Sequence, residues 1–223
     1  MLLKMKDTMP YHVSVFTLQE VLKLFDYKEV AERTQWIDYR TIKGLTVEHE
    51  GEPSQWVEIM NFCPDTYRFF IANEEIVGYW HFVALDDEKF ELACKGQLLE
   101  SQINKQFIKN INGIGQYNGY FTNVAMLPQY QNVHNVKVIL SSIIESIQAF
   151  AEHGKYFTKW CTNGYTQEGK AMAKILGFKY SCNNMHSGDV YYCELAKVLN
   201  KQKIYKSYPQ LVELILNNLP NKT

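Results

Sequence analysis

The sequence predicts an α/β fold in which a mixed, largely antiparallel central sheet is flanked by helices. Three observations predict it. Residues 67–85 read as a hairpin: the run Tyr67 to Ala72, a turn at Asn73-Glu74-Glu75, and the returning strand Ile76 to Leu85 with Gly78 inside it. Residues 120–161 read as strand, helix, strand, a unit of the length that gives a parallel pair with a right-handed crossover. Residues 179–195 read as a closing hairpin.

Each element has a local reason. Thr17 is placed to cap a surface helix to Asp26, with Leu18, Val21, Leu22 and Phe25 at helical spacing. From Ile37 to Pro53, Gly44, Gly51 and Pro53 interrupt any period, and the cluster Glu48, His49, Glu50, Glu52 reads as a solvated loop because it lacks a metal-ligand spacing. Asp86-Asp87-Glu88 reads as a charged turn before a strand from Lys89 to Cys94. Ser101 to Ile111 reads as a helix presenting Ile103, Phe107 and Ile111, followed by a loop marked by Gly113, Gly115 and Gly119. Tyr120 to Met126 suits a central strand, which Pro128 must end because proline cannot donate to a ladder. After a loop from Gln129 to Asn135, the residues Val136, Ile139, Leu140, Ile143, Ile147 and Phe150 form the apolar face of a helix that ends near Gly154. The strand Phe157 to Cys161 and a turn at Asn163-Gly164 follow. Thr166 then caps a short helix whose left-handed end is Gly177, with Phe178 folding back onto Met172 and Ala173. Pro209 to Leu219 reads as a last amphipathic helix.

Composition bounds the function. The 223 residues are 46% hydrophobic and 14% aromatic, enough for a substantial core. The 23 Lys and Arg against 24 Asp and Glu give a net charge of -1 without a basic stripe, which argues against nucleic acid as the main partner. No apolar run reaches the roughly 20 residues that span a bilayer, so no membrane partner is expected. The charges at Lys4, Lys6 and Asp7, in place of a signal-peptide core, make the expectation cytoplasmic. The cysteines Cys63, Cys94, Cys161, Cys182 and Cys193 show no metal or redox spacing and read as mostly buried thiols. Without repeats or a linker, residues 1–223 are read as one domain: a variable helical and loop region at 1–66, a core at 67–195 and a helical extension at 196–223. Oligomeric state is left open, a homodimer included.

Chemistry is concentrated between Gly119 and Tyr180, where a helix start directly follows a strand, a geometry suited to phosphate. The strand ending at Pro128, the helix after it, and Lys174-Ile175-Leu176-Gly177-Phe178 resemble the GNAT superfamily of acyl-coenzyme A dependent N-acyltransferases. The resemblance covers roughly Tyr67 to Leu195 in element order and implies a GNAT-like sheet. It also implies acetyl-coenzyme A, or another acyl-coenzyme A, as cofactor and a small-molecule or peptide primary amine as acceptor. The backbone of Val124, Ala125 and Met126 would pair with the pantetheine arm, and the loop Gln131, Asn132, Val133, His134, Asn135, Val136 and Lys137 would face the pyrophosphate. Asn163 and Thr166 would lie near the reactive half.

The chain departs from the family at two places. The family's Gln or Arg falls on Gln131, but its two small residues, which let phosphate approach bare N–H groups, fall on His134 and Val136. A shifted alignment puts Asn132, a residue tolerant of left-handed backbone, in the first glycine slot. Either His134 and Lys137 supply donors to phosphate in a reshaped loop, or coenzyme binding is weakened or lost. The family's tyrosine four residues before the Leu-Gly-Phe glycine is Ala173 here, so Tyr165 is the candidate general acid. For deprotonation of the amine, Tyr120, Thr122 and Asn123 could order a water, and Glu91, expected on a neighbouring strand, is the nearest carboxylate; Tyr165, Asn123 and Glu91 are thus the catalytic candidates. His81, with an imidazole poised near neutrality, reads as either a base or a hydrogen-bonded core residue. The alternative function is a catalytically silent GNAT-fold module that binds a ligand or a protein.

Overall fold

The computed structural model describes residues 12–186 and 188–218. Lys4, Lys6, Asp7 and Leu219 lie outside the described residues. In chain order the elements are β1 (Ser14–Thr17), α1 (Leu18–Val21), α2 (Tyr27–Thr41), α3 (Val47–Glu50), α4 (Pro53–Phe62), β2 (Tyr67–Ala72), β3 (Glu75–Leu85) and α5 (Asp87–Cys94). Then come β4 (Gly115–Met126), α6 (Val133–Glu152), β5 (Lys155–Gly164), α7 (Gln167–Ile175), β6 (Lys179–Asn183), β7 (Asp189–Glu194), α8 (Leu195–Val198) and α9 (Pro209–Asn217). One seven-stranded sheet has the order β1-β2-β3-β4-β5-β7-β6. Among the described residues its only parallel pair is β4 with β5, joined through α6.

Both hairpins and the strand, helix, strand unit stand where the hydrophobic pattern places them. The first hairpin turns through Asn73 (φ 50) and Glu74 (φ 64), both left-handed, which matches the twist of the flanking strands. Gly78 has no Cβ because one would come within 2.7 Å of the Ala125 carbonyl. The ending at Leu176-Gly177-Phe178 is a Schellman motif: Gly177 has φ 90, the Phe178 N–H bonds the Ala173 carbonyl at 2.9 Å, and the Gly177 N–H bonds that of Lys174 at 3.0 Å.

Several expectations are corrected. Lys89 to Cys94 is helical: Asp86 accepts a hydrogen bond from the Lys89 N–H at 2.8 Å, so the acidic run is an N-cap and first turn. Ser101 to Ile111 forms only a short turn at Glu100–Gln102. There the Asn104 side chain takes the Gln106 N–H and that of Asn110 takes the Asn112 N–H, a competition with helix, while Ile108 bridges Leu85. Gly115 and Gly119 lie inside β4; a Cβ on Gly119 would enter the Trp160 ring at 2.4 Å. Asn163 and Gly164 end β5 and do not form a turn. The helix after Thr17 stops at Val21, where Thr17 and Glu20 make a capping box. A second capping box, Asp26 with Glu29, starts the 15-residue α2, and Pro53 opens α4. The supposed loop from Ile37 to Pro53 therefore holds the end of α2 and all of α3.

The two faces of the sheet carry different cores. Against α6, Phe82 meets Phe121, Phe150, Phe157 and Trp160 with ring centroids 5.0–5.7 Å apart, and the Trp80 indole N–H bonds Ser142 Oγ at 2.7 Å. The opposite face of β3 carries Tyr79 and His81 and is covered by α2 and α4.

Candidate functional site

The site begins at a break in pairing. The β4–β5 ladder ends at Phe121↔Thr162, although β4 continues to Met126, so Thr122–Met126 leave the neighbouring strand. A β-bulge accompanies the break: His81 pairs with Asn123 and Phe82 with Phe121, which leaves Thr122 as an extra residue. Because the Leu127 N–H bonds the Val77 carbonyl, ladder alternation turns the backbone groups of Ala125 toward β3 and those of Val124 and Met126 toward the opening. The Met126 carbonyl already accepts from the Gln131 side-chain amide at 2.6 Å.

Beyond the opening, α6 starts at Val133. Asn132 has extended backbone (φ -133), not the left-handed form its type allows, and caps the helix by accepting from the Asn135 N–H at 2.9 Å. The Asn135 amide donates to the Tyr130 carbonyl at 2.8 Å and is buried. The loop expected from Gln129 to Asn135 is thus shorter, and its asparagines serve the helix start itself. The N–H groups of Val133 and His134 have no acceptor within the helix and point out of its end. The side chains of His134 and Lys137 line a groove with Val15 and Arg68 on the β1–β2 side of α6, and the His134 ring meets that of His12 edge-on at 4.7 Å. Val136 is half-buried against the core. The end of the helix and the unpaired edge of β4 fit an extended, amide-bearing, anionic group such as coenzyme A; the glycines that would bare more backbone are absent.

On the α2–α4 face, Thr34, Asp38, Glu50, Trp56, Met60, Tyr67, Tyr79, His81, Glu100, Thr122 and Asn123 line a small cavity of about 20 Å³, room for about one water molecule. Asp38 projects from the buried stripe of α2, which also holds Val30, Ala31, Thr34 and Ile37, and its Oδ2 accepts a short hydrogen bond from the Tyr79 hydroxyl. Glu50 ends α3 and is buried. Glu100 is held by its backbone: the Gln55 side chain donates to the carbonyls of Glu100 and Ile103 at 2.9 and 2.7 Å, and Ser101 Oγ donates to that of Glu48 at 2.7 Å. Burial pushes all three acids up. Glu100 rises to about 8 against a hydrogen bond from Tyr120 that opposes the shift. Asp38 and Glu50 both rise because burial disfavours their charge, and the neighbouring Asp38 drives Glu50 further, so the pair retains a proton near neutrality. Burial pushes His81 well below its usual value, and the ring is neutral, stacked on Tyr67 at 3.7 Å.

A hydrogen-bond chain joins the cavity to the opening. Asn163 at the end of β5 donates to the Tyr120 hydroxyl at 2.8 Å, which donates to Glu100 at 3.1 Å. Tyr165 is half-buried; its hydroxyl accepts from Asn184 at 2.9 Å, and burial, with nearby Glu100, raises its pKa. Thr166 caps α7 by accepting from the Gly169 N–H at 3.0 Å.

Among the sequence candidates, Asn123 lines the cavity, while Asn163 and Tyr165 are not in its lining and lie at and just beyond the end of β5. Glu91 is corrected: it stands exposed on α5, and the carboxylates around Asn123 are Asp38, Glu50 and Glu100. Sequence reasoning missed these three. One signal was available, because Asp38 sits one turn beyond Thr34 on a stripe otherwise filled with apolar residues. Glu50 and Glu100, in segments without a period, gave none. Among the described residues no group of three or more His, Cys, Asp or Glu side chains is arranged to hold a metal ion, and no helix is long and apolar enough to cross a membrane.

No family model and no curated protein matches the sequence. Among solved structures, the chain is similar to the loading GNATL domain of CurA from Lyngbya majuscula, with 11% identity over 83% of this chain and 99% of that one and a TM-score of 0.56. It is also similar to Ard1 from Thermoplasma volcanium, with 8% identity, 82% and 97% coverage, and a TM-score of 0.50. At such identities the likeness is one of fold: a GNAT-type α/β sheet, open and mostly antiparallel, flanked by helices.

Proposed function

We propose that the chain transfers an acetyl or longer acyl group from acyl-coenzyme A to a primary amine by direct attack. The observation that carries this reading is the continuity between the β4–β5 opening and the buried acids through Asn163, Tyr120 and Glu100. Bound coenzyme would supply the acyl thioester, whose C–S bond is exchanged for a C–N bond to the amine. Val124 and Met126 would orient its amide-bearing arm, and the N–H groups of Val133 and His134 would meet its phosphates. Glu100, poised at about 8, would take the proton that the amine must lose. Tyr165 keeps its own proton, since its hydroxyl accepts from Asn184, and would give it to the departing sulfur.

Calorimetry with acetyl-coenzyme A, together with release of free thiol across a panel of primary amines, tests the reading. Micromolar binding and amine-dependent thiol release are expected; no binding at millimolar coenzyme would overturn it. A silent binding module is the second reading, favoured by Gln131, Asn132 and Asn135 spending their side chains inside the loop. Binding without transfer to any amine would select it.

A further inference from the structure

Three of the five free cysteines meet where α5 ends on the sheet. Cys94 is the last residue of that helix, Cys161 lies in β5 and Cys182 in β6. The strand register puts the two strand cysteines on one face: Cys161 pairs with Tyr192 and Cys182 with Val190, and Val190 and Tyr192 alternate onto the same face of β7. That face is the one α5 covers, since Tyr192 meets Phe90 of the helix with ring centroids 6.5 Å apart. The thiols of Cys94 and Cys161 are hydrogen-bonded to each other, and Cys182 Sγ donates to the Cys94 carbonyl at 3.6 Å. Cys63 and Cys193 stand apart: Cys63 Sγ donates to the Ile59 carbonyl at 3.3 Å, and Cys193 packs with Phe121 and Trp160 on the α6 side.

The two bonded thiols differ in access. Cys94 is half-buried, whereas Cys161 is 0% exposed. The hydrogen bond with Cys94, and then burial, push the Cys161 thiol well above its ordinary value, so it keeps its proton and is not the first to react. The turn after Cys94 holds that residue in place. Gly96 has φ 69, a Cβ on it would come within 2.7 Å of Asn184 Cα, and its carbonyl accepts from the Met185 N–H at 3.2 Å. A thiol that a reagent can reach is thus fixed against one that it cannot. Two thiols already in contact need little movement to bond.

We infer that Cys94 and Cys161 form a reversible redox pair, a modification site closed by exchange with a small-molecule disulfide such as glutathione disulfide. The Cys94 thiolate attacks one sulfur of the reagent, forming a mixed disulfide and expelling one glutathione thiolate. Cys161 then gives up its proton and attacks the Cys94 sulfur, forming the protein S–S bond and expelling the second glutathione thiolate. Two protein thiols are oxidised, one small disulfide is reduced, and the two protons pass to glutathione. Cys161 is the ladder partner of Tyr120, so the bond closes beside the tyrosine that links Asn163 to Glu100.

The test equilibrates the full chain in glutathione buffers from reducing to oxidising, quenches with acid, alkylates the remaining thiols and maps the peptides by mass. In the oxidising buffer two of the five thiols are expected to disappear, with Cys94 and Cys161 in one cross-linked peptide pair, and reduction is expected to restore both. Cys94→Ala should abolish the bond and leave Cys161 unmodified, and Cys182→Ala should leave the bond in place. Cys161→Ala, its fold checked by thermal unfolding, should stop at the mixed disulfide on Cys94; if it does not fold, the parent map and Cys94→Ala decide. A bond between Cys94 and Cys182, glutathione retained on Cys94 of the parent chain, or five free thiols in the oxidising buffer would overturn the pair. None of these readouts depends on acyl transfer.

Discussion

Residues adjacent in sequence on β3 serve two unlike interiors. Trp80 and Phe82 face α6, where the neighbours are mostly apolar rings and aliphatic side chains, Ser142 is hydrogen-bonded, and the Trp160 indole nitrogen lacks a partner; Tyr79 and His81 face α2 and α4, where buried acids and unpartnered atoms collect. Burial is nearly complete on both sides. What differs is whether burial is matched. The apolar face gains from every contact it makes, whereas the polar face gives up stability to hold groups in states that water would not allow, and that is where chemistry is to be sought.

The largest effect that tests this contrast lies on the apolar side. Phe82→Ala is expected to lower stability by about 3–5 kcal/mol in denaturant unfolding, since five rings meet there and cannot all close in. A loss below about 1 kcal/mol would mean that the two faces are not different in kind. On the polar side Glu100→Gln should leave the fold intact but slow acyl transfer by ~10²-fold or more and abolish the rise in rate as pH passes through about 8. An unchanged pH profile would remove Glu100 from proton transfer.

The third effect is a pH slope. Folded Glu100 holds its proton up to about 8, while the unfolded chain releases it near the ordinary 4.5, so the folded state binds more protons in between. Unfolding free energy should therefore fall as pH rises from about 4.5 to about 8 and level off above it. Melting temperatures of the parent chain and Glu100→Gln over that range check the sign; the variant should show a shallower fall. The smallest effect concerns the loop. With its ring turned toward His12 and the β1 side, His134→Ala is expected to change coenzyme affinity by less than about twofold, consistent with an exposed group. A tenfold loss would show that the ring reaches the phosphates.

Periodicity made most of the sheet legible. Both hairpins, the crossover helix and the Schellman ending carry local signals strong enough to survive any tertiary context. The failures share a cause. Lys89 to Cys94 and Ser101 to Ile111 are short segments in which side-chain hydrogen bonds decide the backbone: Asp86 promotes a helix in the first, and Asn104 and Asn110 prevent one in the second. Within the site, the residues contributed by β4 and β5 could be found because their strands could be counted. Asp38, Glu50 and Glu100 come from three separate segments brought together by packing, and the stretch holding Glu50 reads as acidic and solvated when taken alone. A carboxylate's neighbourhood is a tertiary fact, and spacing along the chain does not encode it.

The extra residue at Thr122 has one more consequence. Phe121 pairs with Phe82 and Val124 with Trp80, so both point to the same side although they are three apart, an odd interval in a structure that counts by twos. β4 thus changes phase midway. Removing one residue between Phe121 and Val124 would leave composition and hydrophobicity nearly untouched, yet it would restore a single phase and send the downstream side chains to the wrong sides of the sheet. Length at this point is therefore as much a part of the site as any side chain in it.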